Sequence, residues 1–296
     1  MRWTMKRFFD IFAADGYKLG KMKSIYIGIA VMAILIFVSA LAIGSLAALA
    51  ADSDIIASYD PETGETIDIP EETVNEIRTD YGVALLTGAP SSASALLLVA
   101  IIAALFIGTE YSSGMMRLYV GRGAGKVRSY FSKFLWMFIV NVVYVCFAFL
   151  FCAIAAAALG VTGELFASHA SDAAKSFGSY IFYSLVFAAI YTSILHLLRS
   201  KAGGMATLLA MYIVIGAVVV AVVQLALGAT AVIAGNATAS ENIVYLYFNP
   251  YHAYDSLGNV AHCTAKELGL IFGGGMMWGA VFFAGGLLYS TKTDVK

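Results

Sequence analysis

The sequence predicts an all-α membrane protein: six transmembrane helices, an N-terminal interfacial amphipathic helix, and both termini cytoplasmic. Three observations carry this expectation. Of 296 residues, 60% are hydrophobic and only 12% are charged, whereas soluble domains run nearer a quarter charged, so the chain lacks the charge to solvate a globule of its size. The charges that do occur leave six long uncharged gaps. Their signs also segregate between alternate connections.

A bilayer core about 30 Å thick takes roughly 20 apolar helical residues to cross. The uncharged runs are 24–51, 81–109, 134–163, 176–198, 202–240 and 268–291. Taken in order within a single domain spanning 1–296, they justify the following elements. Residues 1–23 mix Trp3, Phe8, Phe9, Phe12 and Tyr17 with six cations, the composition of a helix lying in the headgroup layer, with a bend expected at Asp15-Gly16. Span one covers 24–51. Its end, LAALAAD, imitates a signal-cleavage site, but the apolar run is about twice the length of a signal core, which favours a span.

An acidic outer loop, 52–89, holds 10 of the 19 acidic residues against one arginine. Two readings stand for it: solvation of an outer loop, or an electrostatic funnel for a cationic substrate. Pro70, Glu71 and Glu72 suit a helix start inside it. Span two, 90–109, is expected to begin near Pro90, since proline fits a helix's first turn. A cytoplasmic loop at 110–133 leads to span three at 134–161, and span four follows at 176–198. Span five is read as one long helix over 203–233, ahead of an outer loop at 234–267. Span six occupies 268–291.

Sidedness supports the count, because cytoplasmic loops carry the excess of Lys and Arg. With both termini inside, 15 of the 18 basic residues fall inside and 15 of the 19 acids outside. Splitting the fifth run into two spans would put the basic C-terminus on the wrong side.

The segment 109–133, TEYSSGMMRLYVGRGAGKVRSYFSK, holds five basic residues and one acid. Its GRGAGK is no phosphate loop: a P-loop needs glycine where Val120 stands and a hydroxyl where Val127 stands. A dinucleotide fingerprint fails because Lys126 replaces the third glycine. The chain therefore offers no nucleotide site, and it shows no paired acids, H-E-x-x-H or nucleophile with its base that would make it an enzyme. No cofactor or metal is expected: Cys146, Cys152 and Cys263 form no framework, and His252, Asp255, His262 and Cys263 match no standard metal spacing. A net charge of −1 gives no argument for nucleic acid.

None of the six runs contains Asp, Glu, Lys or Arg. Gradient-driven carriers need ionisable groups at their coupling sites, so the energy source is expected outside this chain. The polar side chains within the runs are Asn141, His196 and Gln224. Packing through bonds between helices is weighed for Asn141 and Gln224 against lining a substrate path, and His196, beside Arg199, is read as interfacial. Gly269/Gly273 and Gly275/Gly279 in span six have the spacing that lets helices approach closely, within the chain or between subunits.

Glu110 and Gly114 in an E-x-x-x-G pattern, followed by Arg117, Gly123, Lys126 and Lys133, resemble the loop between spans two and three of ABC-2 type transporter permeases. Met115 stands where that family usually has threonine, and Lys126 where it has arginine. The order of parts is similar over essentially the whole chain, including the proline-aromatic segment FNPYHAYDSL before the last span.

The resemblance implies a permease subunit of a plasma-membrane exporter. It would pair with a second permease subunit and with a dimer of ABC ATPase subunits that bind ATP and magnesium. Glu110, Gly114, Arg117, Gly123, Lys126 and Lys133 would form its coupling element. The expected substrate is a cationic or antimicrobial peptide or a hydrophobic compound. A gradient-driven carrier or channel is the rival reading.

Overall fold

The computed structural model describes residues 2–51, 58–59, 66–67, 71–88, 92–121, 125–223, 225 and 244–292. Apart from one antiparallel pair of two-residue strands, Ser58–Tyr59 with Thr66–Ile67, its regular structure is helical. Six helices are long and apolar enough to cross a membrane, as in a multi-pass membrane protein: Lys23–Ser45, Ala95–Ser112, Lys126–Ala158, Gly163–Leu198, Lys201–Val223 and Ala265–Lys292.

Helix α1 (Arg2–Lys21) precedes α2 (Lys23–Ala51), the first span. Helix α3 (Glu71–Leu86) lies in the acidic connection and packs on α2 and α7. Span two is a composite of α4 (Ser92–Ala103), a π-helical segment (Ala104–Gly108) and α5 (Thr109–Ser112). After α6 (Met115–Gly121) come α7 (Lys126–Ala158) and α8 (Gly163–Leu198), spans three and four. Span five is α9 (Lys201–Met211), running into a second π-helical segment (Tyr212–Val218). Helix α10 (Pro250–Asp255) lies between two 3-10 segments, and α11 (Ala265–Lys292) is span six.

Local chemistry sets several of these starts. The Thr162 hydroxyl accepts from the Leu165 N–H at the head of α8, and Ser200 accepts from the Gly203 N–H at the head of α9. Both satisfy backbone donors that a helix's first turn leaves open. At α11, Thr264 and Glu267 form a reciprocal capping box: the Glu267 carboxylate accepts from the Thr264 N–H at 2.6 Å, and Thr264 Oγ1 accepts from the Glu267 N–H at 3.4 Å.

Helix α8 is the most enclosed of the six spans, packed between α7 and α11, while spans five and six are the least enclosed. The bundle is laced by tyrosine hydroxyls that donate to carbonyls of neighbouring helices. Tyr144 reaches the Ile25 carbonyl at 2.9 Å, Tyr183 that of Ile271 at 2.7 Å, and Tyr191 that of Leu96 at 3.1 Å. A helical carbonyl keeps a second lone pair free for such a bond. Tyrosine thus meets apolar neighbours with its ring and buries its hydroxyl satisfied.

Several sequence expectations change here. No bend occurs at Asp15-Gly16, since α1 runs unbroken through both residues. Gly16 serves close approach instead: a Cβ there would collide with the Trp136 ring. Helices α7 and α8 begin well before their uncharged runs, so Lys126, Arg128, Lys133, Glu164, Asp172 and Lys175 belong to the spanning helices. His196 is buried rather than interfacial, its Nδ1 2.8 Å from the Thr192 carbonyl and its ring against Tyr130 at 4.9 Å. The two glycine pairs of span six part ways: Gly275 and Gly279 pack on α8, whereas Gly269 and Gly273 have nothing within 4 Å of an added Cβ. The expected start at Pro90 and the end of span five beyond 225 lie outside the described residues.

Candidate functional site

The segment 110–133 is largely helical rather than a loop. Helix α5 ends at Ser112, where the Ser113 N–H bonds back to the Thr109 carbonyl and the Gly114 N–H to that of Tyr111. Gly114 then takes a positive φ of +70°, a conformation that costs an L side chain energy, which is why glycine separates α5 from α6. Gly125, at φ +75°, precedes α7 in the same way.

Glu110 sits two residues beyond the π-helical turn of span two and is 0% exposed. The sequence places this carboxylate at the head of a loop expected at 110–133; the fold buries it. Its Oε1 accepts from Lys133 Nζ at 2.7 Å and from Lys18 Nζ at 2.8 Å. Lys133 and Asp15 are each 1% exposed. Asp15 receives Lys133 Nζ on Oδ1 at 2.5 Å and the Ser132 hydroxyl on Oδ2 at 2.6 Å. Phe106, within the π-helical segment, supplies a ring 4.4 Å from Lys133 Nζ and a carbonyl that accepts from Lys18.

Two carboxylates and two ammonium groups thus interlock with zero net charge. In a low-dielectric site, only such pairing makes burial of charge tolerable. Glu110 Oε2 is buried without a hydrogen-bond partner among the described residues, leaving the cluster one open acceptor. Outside the spans, Tyr119 on α6 feels the cluster: burial first, and then the carboxylates of Asp15 and Glu110, push its hydroxyl above the ordinary pKa.

The cluster joins three elements: α1, the end of span two and the start of span three. Beside it, the Phe12 and Trp136 rings stack at 4.7 Å, and Trp136 Nε1 donates to the Phe12 carbonyl at 2.8 Å. A fourth element approaches through span five, where the Lys201 N–H donates to the Ser112 hydroxyl at 3.2 Å. Displacing α1 therefore moves the ends of spans two and three with it, unless buried ion pairs break.

Of the coupling residues expected from sequence, the structure brings together Glu110 and Lys133. Gly114 forms the turn between α5 and α6, Arg117 is exposed on α6, and Lys126 is partly exposed at the first position of α7. Gly123 lies outside the described residues. Among the substrate-path residues, Asn141 is buried and donates from Nδ2 to the Ser184 carbonyl of span four at 3.4 Å. That bond is a contact between helices. Gln224 also lies outside the described residues.

Asp15, Lys18 and Ser132 were not singled out from sequence as members of a site. One signal was available: Asp15 is one of few acids in segments otherwise basic, and an acid there without solvent is a pairing partner. Among the described residues, no group of three His, Cys, Asp or Glu could hold a metal ion. No family model and no curated protein matches the chain.

Proposed function

We propose that this chain is the permease subunit of an ATP-driven ABC-2 type exporter in the plasma membrane, with both termini cytoplasmic. It pairs with a second permease subunit to form the translocation path across the lipid bilayer, and a dimer of separate ABC ATPase subunits binds ATP and magnesium. The observation that carries this reading is the buried ionic joint of Asp15, Lys18, Glu110 and Lys133. It ties the basic N-terminal helix and the basic segment after span two into one unit, and such a unit can pass the movement of an attached ATPase to three helices at once.

Helix α6, with exposed Arg117, Met115 and Leu118, is the face offered to the ATPase. The substrate in this reading is a cationic or antimicrobial peptide or a hydrophobic compound. Co-purification tests it directly: an ABC ATPase should accompany the chain, and Arg117→Glu should leave hydrolysis running while transport in proteoliposomes falls. Transport that persists in Arg117→Glu at the native rate overturns the assignment of α6.

A gradient-driven carrier is the second reading, favoured by one observation. Charges absent from the uncharged runs are nevertheless buried at the helix ends, and intramembrane carboxylates such as Glu110 mark ion-coupled sites in carriers. Proteoliposomes containing this chain alone decide between the two. Uptake driven by a proton or sodium gradient without ATPase supports the carrier, and its absence leaves the exporter.

A further inference from the structure

Beside the ionic joint, α1, span one and span three leave between them a groove of about 420 Å³, within the range of small-molecule pockets. Gly16 and Gly20 line it on α1, and Tyr26 and Ile29 on α2. Along α7 it extends from Trp136 to Phe147, a helical rise of about 16 Å. Gly20 keeps it open: a Cβ there would meet nothing within 4 Å.

Among the described residues the lining holds no Asp, Glu, Lys or Arg, and its two polar side-chain atoms are already committed. The Tyr26 hydroxyl donates to the Gly20 carbonyl at 3.1 Å, across the elbow at Met22 where α1 gives way to α2. Trp136 Nε1 donates to the Phe12 carbonyl. Backbone bonds from the Met22 N–H to the Leu19 carbonyl at 3.0 Å and from the Ile25 N–H to the Met22 carbonyl at 3.2 Å fix the elbow. The side chains of the groove therefore offer a guest hydrocarbon surface and no further hydrogen bond.

The elbow supplies the charge. Lys21 and Lys23 flank Met22, and both are exposed. Neither ammonium has an ion-pair partner among the described residues. Lys21 Nζ lies 5.3 Å from the centre of the Tyr17 ring, and Lys23 stands three residues before Tyr26, on the same face of α2. Lys18 is engaged with Glu110, and the joint that it completes is neutral. Two positive charges at one end of the groove thus lack a counter-charge from the chain itself.

We propose that this groove seats an acyl chain of an anionic phospholipid, with the lipid phosphate at Lys21 and Lys23. An apolar slot headed by two ammonium groups matches a molecule with a negative head and a hydrocarbon tail, and lysine binds phosphate as a point charge. A helix from a second copy or another protein is too thick, since three turns, about 10 Å across and 16 Å long, fill about 1,200 Å³. The inference stands whether the chain is an exporter or a carrier.

The test is fluorescence quenching of Trp136 in the full chain reconstituted into vesicles, with Trp3→Phe and Trp278→Phe removing the other two tryptophans. Phosphatidylglycerol or phosphatidylcholine, brominated on its acyl chains, is added at rising fraction to unlabelled phosphatidylcholine. Half-maximal quenching at an about tenfold lower fraction of the phosphatidylglycerol is expected. Lys21→Gln with Lys23→Gln should bring the two lipids within about twofold of each other. Gly20→Leu, whose Cβ enters open space, should fill the slot and at least halve the quenching by phosphatidylglycerol. Equal quenching by the two lipids marks an ordinary lipid annulus and overturns the proposal. So does a preference that survives the lysine pair, or quenching unchanged in Gly20→Leu. Quenching by neither lipid means that a second copy or another protein fills the groove, and overturns it too. Native mass spectrometry of the unaltered chain makes the same comparison without any variant: retention of phosphatidylglycerol over phosphatidylcholine supports the seat, and equal retention removes it.

Discussion

Replacing Lys133 by methionine removes one positive charge and leaves the two carboxylates it bridges in place. In the native cluster Lys133 Nζ lies 2.5 Å from Asp15 Oδ1 and 2.7 Å from Glu110 Oε1, with all three side chains at most 1% exposed. The variant leaves Asp15 with only the Ser132 hydroxyl and Glu110 with only Lys18, so the buried cluster changes from neutral to a net charge of −1.

Breaking one side of a buried ion pair costs about 3–5 kcal/mol, because the remaining charge stays desolvated and unpaired. At about 1.4 kcal/mol per tenfold, the folded-to-unfolded ratio should fall by roughly two to three and a half orders of magnitude. Adding Asp15→Asn restores neutrality, with Glu110 still paired to Lys18, and should recover most of the loss. The assay is equilibrium unfolding of the purified chain in mixed micelles at rising SDS fraction, followed by fluorescence of Trp136 beside the cluster, with the double-mutant cycle giving the coupling energy. A loss below about 1 kcal/mol, as for an exposed pair, or no rescue by Asp15→Asn, would refute the buried joint.

Two further outcomes follow from the same geometry. Gly16→Ala places a Cβ against Trp136 and should cost about 1–3 kcal/mol through overpacking, recovered in part by Trp136→Leu; an unfolding midpoint unchanged by Gly16→Ala in the micelle assay contradicts the close contact of α1 with α7. His252 has a folded pKa depressed by burial below its ordinary 6.5. The unfolded chain therefore binds the proton more readily, and this group's contribution to stability is lost as the pH falls through about 6.5. Hydrogen exchange around α10 should accelerate between pH 7 and pH 5 beyond the intrinsic chemical trend, and His252→Gln should abolish that excess.

The sites lay at different depths in the sequence. Glu110 and Lys133 stood out because they bound a basic segment between two apolar runs, and their pairing follows from the return of the chain after a short connection. Asp15 and Lys18 reach them from roughly a hundred residues away. No local pattern announces a contact of that separation. The aromatic cavity between span two, span five and α10 is half legible: FNPYHAYDSL reads as a proline-aromatic segment, and its His and Asp match no metal spacing. Its partner wall is span five, where a π-helical turn carries Tyr212, and an apolar run reads the same whether its turns are α or π.

By itself the sequence determined the membrane class and the number of apolar helices, because charge is so costly in hydrocarbon that its absence over some twenty residues leaves few alternatives. The starts at Thr162, Ser200 and Thr264 are set by capping, which is local chemistry, but the uncharged runs placed spans four, five and six later, at 176, 203 and 268. Only the tertiary structure decided which charges are buried. A lysine 23 residues from its nearest ionic partner in sequence is solvated or neutralised according to what another helix brings to it, and that depends on packing across the whole bundle. For the same reason, the boundary between uncharged run and spanning helix moved at Lys133: once Asp15 and Glu110 surround it, a charged residue is as much at home inside the protein as the phenylalanine beside it.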